Sequence, residues 1–154
     1  MLDLLEHLDF NQIVIFARST SRAKKLSQLL TEQAFPNVCI YGDMNTEERL
    51  QRMRKFKARE YVILVSTQLL GRGVDVEHVN VVINYDFPTK VDEYMHRVGR
   101  AGRFGTKGLA ISFVSDSEEV KMMEEVQMRF AIDIPKLPES IDSSLYQLNS
   151  KKDE

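Results

Sequence analysis

The sequence predicts an α/β fold in which helices flank a mainly parallel sheet of five or more strands. Five short runs rich in Val, Ile and aromatic residues lack polar alternation, which indicates strands that are buried on both faces. They cover residues 12–17, 38–41, 61–66, 79–84 and 108–114. Segments with helical spacing of apolar residues separate these runs, and this alternation is typical of parallel strands joined by helical crossovers.

Four helices are predicted between and after these strands. The first follows the capping residues at 19–21 and ends near Glu32, and the second begins at Thr46. The third covers 91–98 and the fourth 117–130. The apolar residues expected on their inner faces are Ala23, Leu26, Leu29, Leu30, Leu50, Met53, Phe56, Val120, Met123, Val126 and Phe130.

Composition narrows the class of protein. The 154 residues fit one domain with its own core, and no apolar run approaches the roughly 18 residues of a membrane helix. Acidic residues within Met1–Phe10 argue against a signal peptide. The single cysteine, Cys39, excludes an internal disulfide and lies in an apolar run. We therefore expect a buried thiol and a reducing, intracellular compartment.

Charge is distributed unevenly along the chain. Residues 1–115 hold 16 Lys and Arg against 13 Asp and Glu, whereas residues 116–154 hold 5 against 10. The two parts carry +3 and −5, which gives the net charge of −2. Any contact with nucleic acid must therefore be local and not a diffuse basic field.

The most specific motif is HRVGRAGRFG, residues 96–105. It spaces Arg97, Arg100 and Arg103 three residues apart, with glycines between them. Arginines near the carboxyl end of a helix are stabilised by its last carbonyl groups, but this interaction does not explain the glycines between them. Glycine allows a close approach of the backbone, and guanidinium groups bind phosphate through paired hydrogen bonds. The motif predicts a phosphate site.

Three further motifs follow or overlap predicted strands. VSTQLLGRGVD, residues 65–75, offers Thr67 for phosphate contact and Asp75 for sugar hydroxyls. Alone, the segment around Gly73 and Asp75 could also form a structural ion pair. VIFARS covers 14–19, and YGDMNTEER covers 41–49. Taken alone, Arg49 would be an exposed helical arginine.

In this order and spacing, the four motifs resemble the C-terminal half of a DEAD-box RNA helicase, over residues 10 to about 148. The resemblance implies a RecA-like three-layer sandwich, with the helicase C-terminal domain at 1–148 and a flexible tail at 149–154. Residues 101–115 and 126–146 look like the subfamily that acts in pre-mRNA splicing and, as the TREX-complex ATPase, in mRNA export.

The resemblance also implies roles for individual residues. Arg100 and Arg103 would be arginine fingers on the γ-phosphate, and His96 would link the ATP site to the carboxylate motif of the other domain. Asp75, Gly73 and Arg97 are the expected nucleotide-binding residues, with Asp75 on the ribose and Arg97 orienting its motif against Phe16. Thr67, Arg49, Ser19 and Gly42 are the expected RNA-backbone contacts. Gln68, Gly71, Thr46 and Tyr41 depart from the family pattern, which leaves the finer RNA contacts open.

The chain has no GxxxxGK[ST] loop and no DEAD sequence. We therefore expect it to be one domain of a longer protein, inactive alone, that binds ATP with Mg²⁺ ligands in an N-terminal RecA-like domain. No metal site and no membrane association of its own are expected. The expected partners are RNA, that N-terminal domain and splicing or export proteins, with the domain itself monomeric and the parent nuclear. The alternatives are another DEAD-box subfamily, in translation or ribosome biogenesis, and a partner-docking module without catalysis.

Overall fold

A five-stranded parallel sheet lies at the centre of the computed structural model, which describes residues 1–67, 78–99 and 108–146. The strands are Gln12–Phe16 (β1), Asn37–Ile40 (β2), Ile63–Ser66 (β3), Val79–Asn84 (β4) and Leu109–Ser112 (β5). Their order across the sheet is β2-β3-β1-β4-β5, and every neighbouring pair is parallel. The predicted α/β class and the parallel sheet are confirmed.

Helices cover both faces of this sheet. They are Leu2–His7 (α1), Thr20–Glu32 (α2), Thr46–Lys57 (α3), Val91–Val98 (α4) and Ser117–Phe130 (α5), followed by a short 3-10 turn at Ser143–Leu145. The predicted bounds of α4 and α5 match the structure. Helix α1 and the 3-10 turn were not predicted. The second predicted helix begins at Thr46 as expected, although the side chain that caps it is that of Asn45.

The core divides into two layers because strand side chains alternate between faces. Ile13 and Ile15 of β1 pack with residues of α1 and α2, whereas Val14 and Phe16 pack with residues of α3. All five residues of β1 are buried. A third cluster joins α4 to α5 through Tyr94 and Val126. This double coverage is what the absence of polar alternation predicted.

The predicted burial was wrong for three apolar helix residues. Leu29 is 42% exposed, Leu50 52% and Val120 40%. Each lies at the edge of the apolar face of its helix, beside the buried positions that contact the sheet or the neighbouring helix. Helical spacing identifies the apolar stripe, but the width of the stripe that is covered depends on the neighbouring element.

Buried amides join backbone groups that the sheet leaves unpaired. Asn80 is fully buried, and its Oδ1 accepts from the Asn11 backbone N–H at 2.9 Å while its Nδ2 donates to the Tyr146 carbonyl at 3.1 Å. The Tyr146 hydroxyl accepts from the Asp9 backbone N–H at 3.1 Å. These bonds fasten the segment after α5 to the start of β1.

The predicted burial of the Cys39 thiol is confirmed, and this burial raises its pKa. Within the described residues, none of the helices combines the length and the apolar character that a bilayer crossing requires. The predicted tail, 149–154, lies outside the described residues.

Candidate functional site

The carboxyl ends of β2, β3 and β1 lie side by side. Phe16 and Ile40 are both in register with Ser66 of the strand between them. Past these ends, the Thr67 backbone N–H donates to the Ile40 carbonyl at 3.2 Å, and Ala17 donates to the Ser66 carbonyl at 2.9 Å. The loops that leave the three strands therefore start together. This is the edge at which parallel α/β sheets bind ligands.

These three loops carry three of the four predicted RNA contacts. Ser19 follows β1, Gly42 follows β2 and Thr67 follows β3. The Ser19 hydroxyl accepts from the Arg22 backbone N–H at 3.2 Å and so caps α2. Thr67 is only 8% exposed. The structure thus brings these residues to one edge, with Thr67 set the deepest.

Arg49, the fourth predicted RNA contact, is bound to the loop after β2. Its Nη2 donates to the carbonyl of Gly42 at 2.6 Å and lies 3.4 Å from that of Met44. Its Nε is buried and has no hydrogen-bond partner. The expectation from Arg49 taken alone, a freely exposed helical arginine, is wrong because its guanidinium binds the loop. The side chain holds this loop in shape from the first turns of α3.

Arg97, in the last turn of α4, is buried at the same edge beside β1 and β4. It is 3% exposed, and its Nη1 donates to the Asp86 carbonyl at 2.7 Å and to Asn84 Oδ1 at 3.3 Å. The guanidinium carbon lies 5.2 Å from the centre of the Phe16 ring, so the predicted contact with Phe16 is confirmed. Burial lowers the pKa of Arg97 to about 10, with Glu93 and Asp86 opposing the shift. The group stays charged at neutral pH.

Helix α4 ends where the arginine motif continues. His96 is exposed one residue before Arg97, and Gly99 follows the helix. A Cβ on Gly99 would lie 2.8 Å from the Met95 carbonyl oxygen, so close backbone packing requires glycine there. Its φ of −64° is an ordinary helical value. The predicted site residues Arg100, Arg103, Gly73 and Asp75 lie outside the described residues.

Comparison with known proteins decides the family. Residues 1–105 match the model of the helicase conserved C-terminal domain, which is more than half of the chain. The chain belongs to this family. The resemblance to DEAD-box RNA helicases is confirmed by relatives such as the DEAD-box ATP-dependent RNA helicase 15 of Arabidopsis thaliana. That protein is 57% identical over 144 residues, which are 94% of this chain and 34% of the relative.

Further relatives support the same assignment. The ATP-dependent RNA helicase WM6 of Drosophila melanogaster is 56% identical over 146 residues, covering 95% of this chain and 34% of that protein. The ATP-dependent RNA helicase uap56 of Schizosaccharomyces pombe is 52% identical over 144 residues, covering 94% and 33%. The chain thus spans about a third of the length of the curated relatives that it matches.

Solved structures confirm the RecA-like fold. Saccharomyces cerevisiae Dbp5 bound to RNA and ADP BeF3 matches with a TM-score of 0.83 and 32% identity, over 88% of this chain and 37% of that one. The isolated C-terminal domain of Dbp5 matches with a TM-score of 0.78 and 33% identity, over 85% and 77%.

Sequence reasoning missed Asp86 of the helicase domain. This carboxylate lies two residues beyond β4 and is 7% exposed. Its Oδ2 accepts from the Arg18 backbone N–H at 2.9 Å and from Arg22 Nε at 2.8 Å, and its Oδ1 lies 2.8 Å from Arg22 Nη2. The hydrogen bond to Asp86 raises the pKa of Arg22. An acidic residue two positions after a buried strand was the signal in the sequence.

The part of the helicase domain that the structure describes contains no group of three or more His, Cys, Asp or Glu side chains able to hold a metal ion. The carboxyl edge of the described sheet instead holds the buried cation of Arg97. Two guanidinium nitrogens of Arg97, Nε and Nη2, are buried without a hydrogen-bond partner. Such a donor set fits the phosphate oxygens of a nucleotide.

Proposed function

We propose that this domain supplies one half of the ATP site and one half of the RNA groove of an ATP-dependent RNA helicase. One observation carries the proposal: the loops after β1, β2 and β3 and the end of α4 share the carboxyl edge of a single sheet. The similarity to Dbp5, which was solved with RNA and ADP BeF3, supports the same assignment.

On the ATP side, the start of the arginine motif is held in place by the contacts of Arg97. Arg97 ties the last turn of α4 to Phe16 and Asp86. Arg100 and Arg103 follow within six residues, and we assign them to the γ-phosphate, where guanidinium groups stabilise the charge of the transferred phosphoryl group. Asp75 and Gly73 are assigned to the ribose side, and the exposed His96 to contact with the carboxylate motif of an N-terminal RecA-like domain.

On the RNA side, four residues are assigned to the backbone of a single strand. Ser19, Gly42 and Thr67 offer hydroxyl and amide groups from adjacent loops, and Arg49 adds a cation beside Gly42. Groups of this kind contact phosphate and sugar and not base edges. Binding is therefore independent of sequence, as in other single-strand grooves.

The two half-sites require a partner domain. Mg²⁺ bound with ATP would neutralise phosphate charge, and we assign its carboxylate ligands to an N-terminal RecA-like domain. ATP and RNA each make their full contacts only when the two domains close, so each ligand stabilises the state that binds the other. We further propose that the parent acts in nuclear pre-mRNA splicing and mRNA export with proteins of those complexes. The similarity to uap56 supports this subfamily.

A chimera tests the proposal. This chain would replace the matching third of the Arabidopsis thaliana relative, so that the N-terminal domain comes from a known DEAD-box helicase. The chimera should show RNA-stimulated ATPase activity. Arg100→Ala in the chimera should lower kcat by roughly 10³-fold or more, since an arginine finger contributes a factor of roughly 10³–10⁵ to kcat. ATP affinity should change far less.

Arg54→Ala is the matched control. Arg54 is an exposed arginine in the last turn of α3, and its removal should leave the ATPase activity unchanged. A chimera that binds RNA but hydrolyses no ATP would favour a docking module without catalysis. An unchanged kcat in Arg100→Ala would exclude the finger role.

A further inference from the structure

The turn between β4 and α4 contacts both half-sites of the proposed helicase. We propose that Asp86, in this turn, is a positioning residue that couples the RNA-facing loop after β1 to the ATP-facing end of α4. The inference rests on the proposed function. Asp86 touches neither ligand; it acts through Arg18 and Arg22 on one side and Arg97 on the other.

The carboxylate of Asp86 holds the RNA side. It accepts the backbone N–H of Arg18, the residue before Ser19, at 2.9 Å. It also binds the Arg22 guanidinium through both oxygens, each at 2.8 Å, in the first turn of α2. Paired hydrogen bonds of this kind fix direction as well as distance. The position of Ser19, the cap of α2, is therefore set from both sides by one carboxylate.

The backbone of Asp86 holds the ATP side. Its carbonyl accepts from Arg97 Nη1 at 2.7 Å, and its N–H lies 3.3 Å from the Phe16 carbonyl. The ring of the same Phe16 lies under the Arg97 guanidinium. The end of α4 is thus bound to the backbone of Asp86, and the side chain of the same residue binds the loop before Ser19.

Burial makes this connection stiff. Asp86 and Arg97 are 7% and 3% exposed, so neither can exchange its partners for water without leaving the packed interior. A displacement of the Arg18–Ser19 loop that lengthens its bonds to Asp86 must therefore shift the turn that supports Arg97. Coupling between two sites requires such a shared element, whose position both ligands bias.

Linkage in the chimera described above gives the test. The readout is the ratio of the RNA dissociation constants without and with ADP BeF3. Asp86→Asn keeps the shape and one acceptor oxygen but turns an amide NH₂ toward the Arg22 donors. We expect the ratio to fall by roughly tenfold, within the range of typical coupling. RNA affinity without nucleotide and nucleotide affinity without RNA should each change by less than about twofold.

Arg22 provides a second, independent variant. Arg22→Ala removes the other partner of the pair and should lower the ratio similarly, whereas Arg22→Lys keeps the charge and should restore part of it. The control is Arg52→Ala. Arg52 has comparable side-chain exposure, 32% against 38%, and also pairs with a carboxylate, that of Glu48 at 2.6 Å. It breaks an ion pair on another part of the domain surface and should leave the ratio intact.

The outcomes are distinguishable. A wild-type chimera without coupling would overturn the proposed function and this inference together. A wild-type chimera that couples, with Asp86→Asn and Arg22→Ala variants that couple equally well, would overturn the inference alone. Variants that melt earlier but keep the wild-type ratio would reduce Asp86 to a purely structural residue.

Discussion

Arg97→Met should separate the stability of this domain from its activity. Methionine is unbranched and flexible, so it replaces the apolar stem of Arg97 beside Phe16 without charge, although it is shorter than arginine. The change removes the contact with the Phe16 ring and the hydrogen bond to the Asp86 carbonyl. It also removes a buried guanidinium, two of whose nitrogens, Nε and Nη2, have no hydrogen-bond partner.

The opposing contributions nearly cancel. Burial lowers the pKa of Arg97 from 12.5 to about 10, which corresponds to about 3 kcal/mol of cost for the charged form in the folded state. Against this stand roughly 0.5–2 kcal/mol for the contact between cation and ring and roughly 1–3 kcal/mol for the carbonyl left unpaired. The free energy of unfolding should therefore change by less than about 2 kcal/mol.

Urea unfolding of wild type and variant measures this change directly. In the chimera with an N-terminal domain, the same variant should lower RNA-stimulated ATPase activity at least about tenfold. The arginine motif would lose the contacts of Arg97 with Phe16 and Asp86 that position it, and the proposed nucleotide site would lose a positive charge. Destabilisation by more than about 4 kcal/mol would refute the balance of desolvation against contacts. Undiminished ATPase activity would refute the role of Arg97 at the site.

Two further predictions concern the core. Asn80→Ala leaves the Asn11 N–H and the Tyr146 carbonyl unpaired, so it should lower the free energy of unfolding by about 2–6 kcal/mol; a urea midpoint within error of wild type would contradict this. Burial raises the pKa of Cys39, so the fold favours the neutral thiol, and stability should fall as pH rises above about 8.5, the ordinary thiol pKa, toward the folded value. Cys39→Ala should lack that component of the pH dependence, and urea midpoints at several alkaline pH values compare the two proteins; equal slopes would show that Cys39 contributes none.

Local pattern was enough for the sheet and most helices. Strands that are covered on both faces must be apolar at every position, so β1 and β4 could be read directly from their runs. Helix α5 was read correctly because apolar spacing and an acidic first turn agree on its bounds. Helix α1 has only six residues, and its buried residue Leu5 gives too short a pattern to identify.

The candidate site was predicted unevenly for the same reason. Thr67 and Gly42 follow strand runs, so their place at the sheet edge could be inferred from parallel topology. The bond from Arg49 to Gly42 could not, because it depends on how the start of α3 turns back over the preceding loop. Asp86 lies in no motif, and its partners Arg18 and Arg22 precede it by more than 60 residues.

The sequence by itself determined the α/β class, the helicase motifs and the edge of the sheet where they gather, since each depends on residues close together in the chain. Only the tertiary structure decided which charges are neutralised and which guanidinium nitrogens are buried without a hydrogen-bond partner. Ion pairs such as that of Arg22 with Asp86, and the burial of Arg97 over Phe16, join segments far apart in sequence. Their existence depends on packing distances of a few ångströms, which no local pattern encodes.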